Sequence, residues 1–157
     1  MSLTLTTDRA ATDVSSLLTL REKIKNRTAT AAEWTAWLAQ SKGAYNYSDL
    51  NRVGDAISYL AGLLSGYGYP VTVTAKDDWV QSDIPREADM TAYLADLNAL
   101  RSGFYGTTSL PSSMSGIFYT DANNIEQLLL EVETNITNMI AAFQYCGVAK
   151  CGTEVIL

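Results

Sequence analysis

The chain has no histidine, only two cysteines and three prolines, and no sustained apolar run. Each absence excludes something. Without histidine there is no Ser/His or Cys/His relay, and the commonest general base near neutral pH is missing. Two thiols cannot complete a structural zinc site, which takes four ligands. Cys146 and Cys151 have four residues between them, so they are either free thiols or a short local bridge that would add little stability. A membrane span needs about 20 consecutive apolar residues, which the chain nowhere offers. Residues 1–30 also lack the apolar core of a signal peptide, so a soluble, unexported chain is expected.

Phosphate and metal signatures are missing too. Gly66-Tyr67-Gly68 is not followed by a Lys-Ser/Thr pair or a helix start. Asp77, Asp78 and Asp83 offer hard oxygen ligands in one segment, but without the central glycine and terminal glutamate of an EF-hand. Seventeen acidic residues bring some carboxylate pair together by chance, so a glycosidase-like pair carries no weight. The Asn-x-Ser/Thr triplets at Asn26, Asn46 and Asn135 are read as chance. No catalytic residue, metal or cofactor is expected.

What is present is the make-up of one folded domain: 157 residues, 47% apolar and 18% charged. The net charge of −6 is uneven, with residues 70–157 carrying four basic and eleven acidic side chains. Such a surface repels phosphate backbones and argues against nucleic acid as a partner. Arg21, Lys23, Lys25 and Arg27 form the one basic cluster, which suits a solvated helix C-terminus.

Apolar residues recur three and four apart in several stretches, which is the helical period. The organising stretch is Tyr45–Pro70, where Leu50, Val53, Ile57, Leu60 and Leu64 share one side, Asn46 or Ser48 can cap the start, and Gly66 followed by Pro70 closes the end. Val14, Leu17, Leu18, Leu20 and Ile24 predict a helix over about 8–26. Thr30 and Glu33 form a capping box that opens a short helix to about Gln40, pinned by Trp34, Trp37 and Leu38. Val71–Thr74 is an edge strand or simply extended chain. A helix follows from Pro85 to about Ser102, with Met90, Tyr93, Leu94, Leu97 and Leu100 as its buried stripe. Residues 103–119 form a long Gly/Ser/Thr loop that is either a contact surface or anchored flat by Leu110, Met114, Ile117 and Phe118. The longest helix runs from Asp121 to about Tyr145, with Glu126 and Glu133 falling away from its apolar stripe, and Gly147–Leu157 turns back as a small hairpin.

The fold class expected is therefore mainly α: a helical bundle of about five helices with short extended or hairpin segments. It forms a single domain over 1–157, with N-terminal helices over about 8–40 packed on a core bundle over about 46–147. Met1-Ser2-Leu3 is set aside as an expression scar.

The motif order resembles a module of tailed phages and prophages of Firmicutes described as a virion, tail-associated or minor structural protein. The matching pieces are EWTAWLAQSKGAYNYSDLNRVGDAISYLAGLL, GYGYPV, DDWVQSDIPREADMTAYLADLNALR, LPSSM and YTDANNIEQLLLEVETNITNMIAAFQYCG, which cover most of the chain. The D-L-N-R-V helix start, the D-W-x-x-x-D-I-P segment and the A-N-x-I-E helix start recur together. Asp55-Ala56 departs from a more polar continuation in the family, and both cysteines stand where it has Ser-Gly-Glu-like turns. The resemblance implies a non-enzymatic phage protein, made in the bacterial cytoplasm and built into the virion tail through protein–protein interaction with other tail proteins and with itself. It supplies no catalytic residues.

The contact surface expected comprises Tyr45, Tyr47, Tyr67, Tyr69, Trp79 and Pro111, since tyrosine gives large contact area with a polar tip. These tyrosines serve equally well as seals at the bundle ends. A host-surface carbohydrate-binding module, using the same aromatics, is the alternative function, with a carboxylate-dependent glycan hydrolase behind it.

Overall fold

Asn46 begins the helix on which the others lean. Its side-chain oxygen accepts from the Ser48 amide at 2.9 Å, while the Asp49 carboxylate accepts from the Asn46 amide at 2.9 Å, so two unpaired donors of the first turn are satisfied reciprocally. The computed structural model describes residues 3–39 and 42–148, the side chains of 143–148 excepted. It contains five helices, α1 (Ala11–Lys25), α2 (Ala31–Leu38), α3 (Tyr47–Gly66), α4 (Glu87–Gly103) and α5 (Tyr119–Val148). The expected mainly α bundle of about five helices is what the chain forms.

Three of these helices build the core. Leu50, Val53, Ile57, Leu60 and Leu64 of α3 face Tyr93, Leu94, Leu97 and Leu100 of α4 and Ile125, Leu128, Leu129, Val132 and Ile136 of α5, all buried in one cluster. Each such side chain contributes about 1.5–3 kcal/mol through burial, which is why the three stripes fix the bundle. α1 and α2 pack on one another as a hairpin, and neither buries a residue. The capping box of α2 forms as read, with Glu33 N–H donating to Thr30 Oγ1 at 3.3 Å and Thr30 N–H to the Glu33 carboxylate at 2.8 Å.

Three non-helical straps cross the bundle, and helix side chains hold each of them. The first, residues 3–10, runs antiparallel to α5: Leu3 N–H donates to Glu133, Thr6 N–H to Glu126 and Arg9 N–H to Asn123 Oδ1. Asn123 also donates to the Arg9 carbonyl at 2.9 Å, pairing with a backbone as a neighbouring strand would. Leu3 is itself partly buried against the core.

The second strap, residues 69–86, crosses α3 and α4. Asn51 grips the Trp79 backbone at both ends, donating to its carbonyl at 2.9 Å and accepting from its amide at 2.7 Å, while Asp96 accepts from Thr74 N–H at 2.9 Å. Val71–Thr74 pairs with no strand among the described residues and is extended chain held by helix side chains. The strap lies so close to α3 that a Cβ at Gly54 would sit 2.3 Å from the Lys76 carbonyl oxygen. Gly54→Ala should therefore destabilise by about 1–3 kcal/mol, despite alanine's better helix propensity, because backbone must move to admit it. A urea midpoint unchanged from wild type would show that the strap yields freely.

The third strap, residues 104–118, is pinned by Glu131, which accepts from the amides of Thr107 and Thr108 at 3.0 Å each. Leu110 and Met114 pack partly against the core, so the loop is anchored flat along the bundle. Several boundaries differ from the sequence reading: α4 starts at Glu87 rather than Pro85, and α5 runs from Tyr119 to Val148 rather than from Asp121 to about Tyr145. α1 starts at Ala11 because residues 3–10 are drawn onto α5. At the end of α3, Gly68 rather than Gly66 takes the left-handed conformation, at φ +86°, letting the Tyr69 amide reach back to the Leu64 carbonyl at 2.9 Å. The expected hairpin over 147–157 does not begin at Gly147, because Gly147 and Val148 still belong to α5; residues 149–157 lie outside the described residues, and the state of Cys146 and Cys151 lies outside the described side chains.

Candidate functional site

An apolar groove of about 360 Å³ lies between the α1–α2 hairpin, the start of α3 and the second strap. Leu17, Trp37 and Leu38 form one wall, Tyr45, Tyr47 and Leu50 the floor, and Trp79, Val80, Asp83 and Pro85 the other wall. Its rim is unusually apolar: Leu38 is 63% exposed, Val80 53% and the neighbouring Ile84 85%.

Each wall has a local cause. The Trp79 backbone is clamped by Asn51, one turn into α3, which fixes the height of the strap above the floor. Val80 and Asp83 then close a tight turn, in which the Asp83 carboxylate accepts from the Val80 amide at 3.0 Å. On the hairpin side the chain returns at Gly43, where a Cβ would stand 2.3 Å from the Asp13 carbonyl oxygen of α1. Asp8 and Lys42 pair at 2.6 Å beside that approach. Tyr45 lies across the floor, its hydroxyl bonded to that of Tyr93 and its ring 5.5 Å from the Arg9 guanidinium. Burial pushes both phenols up, so both remain protonated donors and acceptors across the ordinary pH range.

Behind the floor lies a charged cluster at the junction of the first strap, α3 and α5. Arg9 Nη2 donates to Asp49 Oδ1 at 2.9 Å and to Glu126 Oε1 at 2.7 Å. Arg52 donates to both Glu126 oxygens, at 2.7 and 3.0 Å, and also to Asp49. Glu126 is fully buried and Arg9 and Asp49 nearly so. Bonding to Glu126, and secondarily to Asp49, raises the Arg52 guanidinium above its usual value against the opposing effect of burial. The two cations and two carboxylates balance, so the cluster cross-links three elements rather than presenting a charge to a ligand.

Of the six contact residues read from the sequence, Tyr45, Tyr47 and Trp79 converge on this groove. Trp79 is only 6% exposed and belongs to the core cluster, so it forms the wall from behind instead of presenting its ring face to solvent. Tyr67 and Tyr69 sit at the other end of α3, about 30 Å away for a 20-residue helix, and both are exposed. Tyr69 packs edge-on to Phe104 with centroids 6.0 Å apart. Pro111 is half-buried on the third strap, separate from both groups. Sequence reasoning missed the apolar rim at Leu38, Val80 and Ile84 as well as the charged cluster. The rim was legible in principle, because Val80 and Ile84 are large apolar residues in an otherwise acidic segment.

Several of the remaining acidic groups are also committed. Among the described residues no cluster of three or more metal-ligating side chains occurs, and Asp83 caps a turn while Asp78 pairs with Lys76. Burial alone would raise Glu131, but the hydroxyls and amides of Thr107 and Thr108 outweigh it and hold its pKa at about 2. A carboxylate depressed in the folded state adds stability that is complete above the unfolded value near 4.5 and is lost as pH falls toward about 2. Glu131→Gln should therefore flatten the acid limb of melting temperature against pH across that window. Parallel acid limbs for the two proteins would show that this ionisation is not linked to folding.

Searches against protein-family models, curated proteins and solved structures find no match to the chain.

Proposed function

We propose that the protein is a non-enzymatic structural part of a tailed phage or prophage virion of Firmicutes, associated with the tail or tail tip. It acts through protein–protein contacts with other virion proteins and with itself. The observation that carries this reading is the aromatic-floored groove with its exposed rim of Leu38, Val80 and Ile84. Large apolar side chains left open around a concavity mark a surface built for a protein partner. The commitment of the buried carboxylates Asp49, Asp96 and Glu126 to backbone, hydroxyl and guanidinium donors supports a scaffold rather than a catalyst. The acidic balance supports partners other than nucleic acid.

The carbohydrate-binding alternative needs aromatic ring faces open to a sugar; the buried Trp79 does not offer one, and the exposed Tyr67 and Tyr69 stand at the far end of α3 from the groove. The test is immunogold electron microscopy with antibody to this domain on particles from an induced lysate of the source strain. Label on the tail or its tip is the expected result. Label on cells but on no particle would overturn the virion reading.

A further inference from the structure

The α1–α2 hairpin raises a question of stability that the rest of the chain does not answer. Its 15- and 8-residue helices bury no residue, although they carry Leu17, Leu18, Trp34, Trp37 and Leu38. Helices this short are marginal in water unless an apolar face is covered. Leu18 and Trp34 are exposed, as is Leu38 on the rim of the groove.

Charge shows what covers it. The turn end of the hairpin, residues 21–27, carries four basic side chains and one acidic, a net +3. Lys23 and Lys25 pair with Glu33 and Glu22, whereas Arg21 and Arg27 have no ion-pair partner among the described residues. Arg21 lies one helical turn beyond the groove-lining Leu17. The segment that carries the opposite wall, residues 76–89, has five acidic side chains and two basic, a net −3; Asp78 is paired with Lys76, and Asp83 lines the groove itself. The groove thus has a basic flank beyond Leu17 and an acidic flank at Asp83. Under a two-fold rotation the basic flank of one copy meets the acidic flank of the other, and the apolar rims meet between them.

We infer that the groove is an isologous self-association surface, whose occupant is a second copy of this chain. The inference rests on the reading of the protein as a contact-making domain and names the first partner of that surface. For a chain with net charge −6, long-range repulsion opposes self-association, and the basic flank set against the acidic flank is what offsets it in this geometry.

Sedimentation equilibrium of the full chain, from about 1 µM to about 1 mM at low and moderate salt, tests it. Twice the chain mass at the upper concentrations, with weaker association at higher salt, is expected. Leu38→Lys, at an exposed helix C-terminus where a cation suits the dipole, should weaken dimerisation at least about tenfold with helicity unchanged. Reversing the basic flank with Arg21→Glu and Arg27→Glu should do the same, and adding Asp77→Lys and Glu87→Lys in the same chain should restore the dimer. A monomer at every concentration would overturn the inference and leave the groove to a different protein. A dimer indifferent to Leu38→Lys would place the interface elsewhere and also overturn it. Immunogold labelling is read separately, so a monomer that labels tails refutes only the self-association, and a dimer absent from particles refutes only the virion reading.

Discussion

Glu126→Ala is expected to lower the unfolding free energy by about 3–5 kcal/mol, the usual result of removing one partner from a buried ion pair. The side chain is fully buried and accepts four hydrogen bonds, from Arg9 Nη2, Arg52 Nη2, Arg52 Nε and the Thr6 amide. Its removal leaves two guanidiniums sharing Asp49, and Arg9 has almost no access to water as an alternative. Against a total stability of about 5–15 kcal/mol for a domain this size, the loss is large enough to unfold much of the population. Urea denaturation should show a lower midpoint at an unchanged slope. Arg9→Ala in the same background should cost less than in wild type, because the charge left stranded by the first change is then gone. Additive losses would show that Arg9 and Glu126 act independently, and a loss below about 1 kcal/mol for Glu126→Ala would mean that water reaches the site.

The second large effect falls on Trp79. Trp79→Ala removes a core side chain and should cost about 3–5 kcal/mol. The same change leaves the Asn51 clamp in place, since that bond is to backbone, so the strap stays tethered over an emptied wall. Trp79→Phe should cost much less than its volume loss implies, because the Trp79 Nε1–H is buried without an acceptor and phenylalanine removes that unsatisfied donor. If the alanine variant proved as stable as wild type while losing affinity for cell-wall glycan, the ring would be a ligand platform after all.

The helices were legible because burial along them follows a 3.6-residue period, and the stripes of α3, α4 and α5 were read almost residue for residue. Glu126 was not. It sits next to Ile125 and off the apolar stripe, so periodicity assigns it to solvent, and only a strap from the chain's start brings Arg9 and the Thr6 amide over it. No local pattern announces a contact between residues 117 positions apart. The same reason hid the true placement of Leu3 and of Val71–Thr74, whose partners are helix side chains instead of another strand. A signal was nevertheless present in the motifs that carry the phage resemblance. D-L-N-R-V supplies Asp49, Asn51 and Arg52, A-N-x-I-E supplies Asn123 and Glu126, and the strap segment supplies Trp79. These are the residues that tie straps to helices. The groove was half legible, since Tyr45, Tyr47 and Trp79 were singled out for their aromaticity, whereas the separation of Tyr67, Tyr69 and Pro111 from them depends on the length of α3 and the path of the third strap.

The first strap also sets an order of events during synthesis. Residues 3–10 leave the ribosome well before their partners Asn123, Glu126 and Glu133, which lie more than a hundred residues further along. Until α5 is complete, Arg9 has only Asp49 to pair with and the apolar stripes of α3 and α4 lack their third side. The nascent chain can make its local helices early but cannot lock them, and closure is deferred to the later step that brings the first strap onto α5.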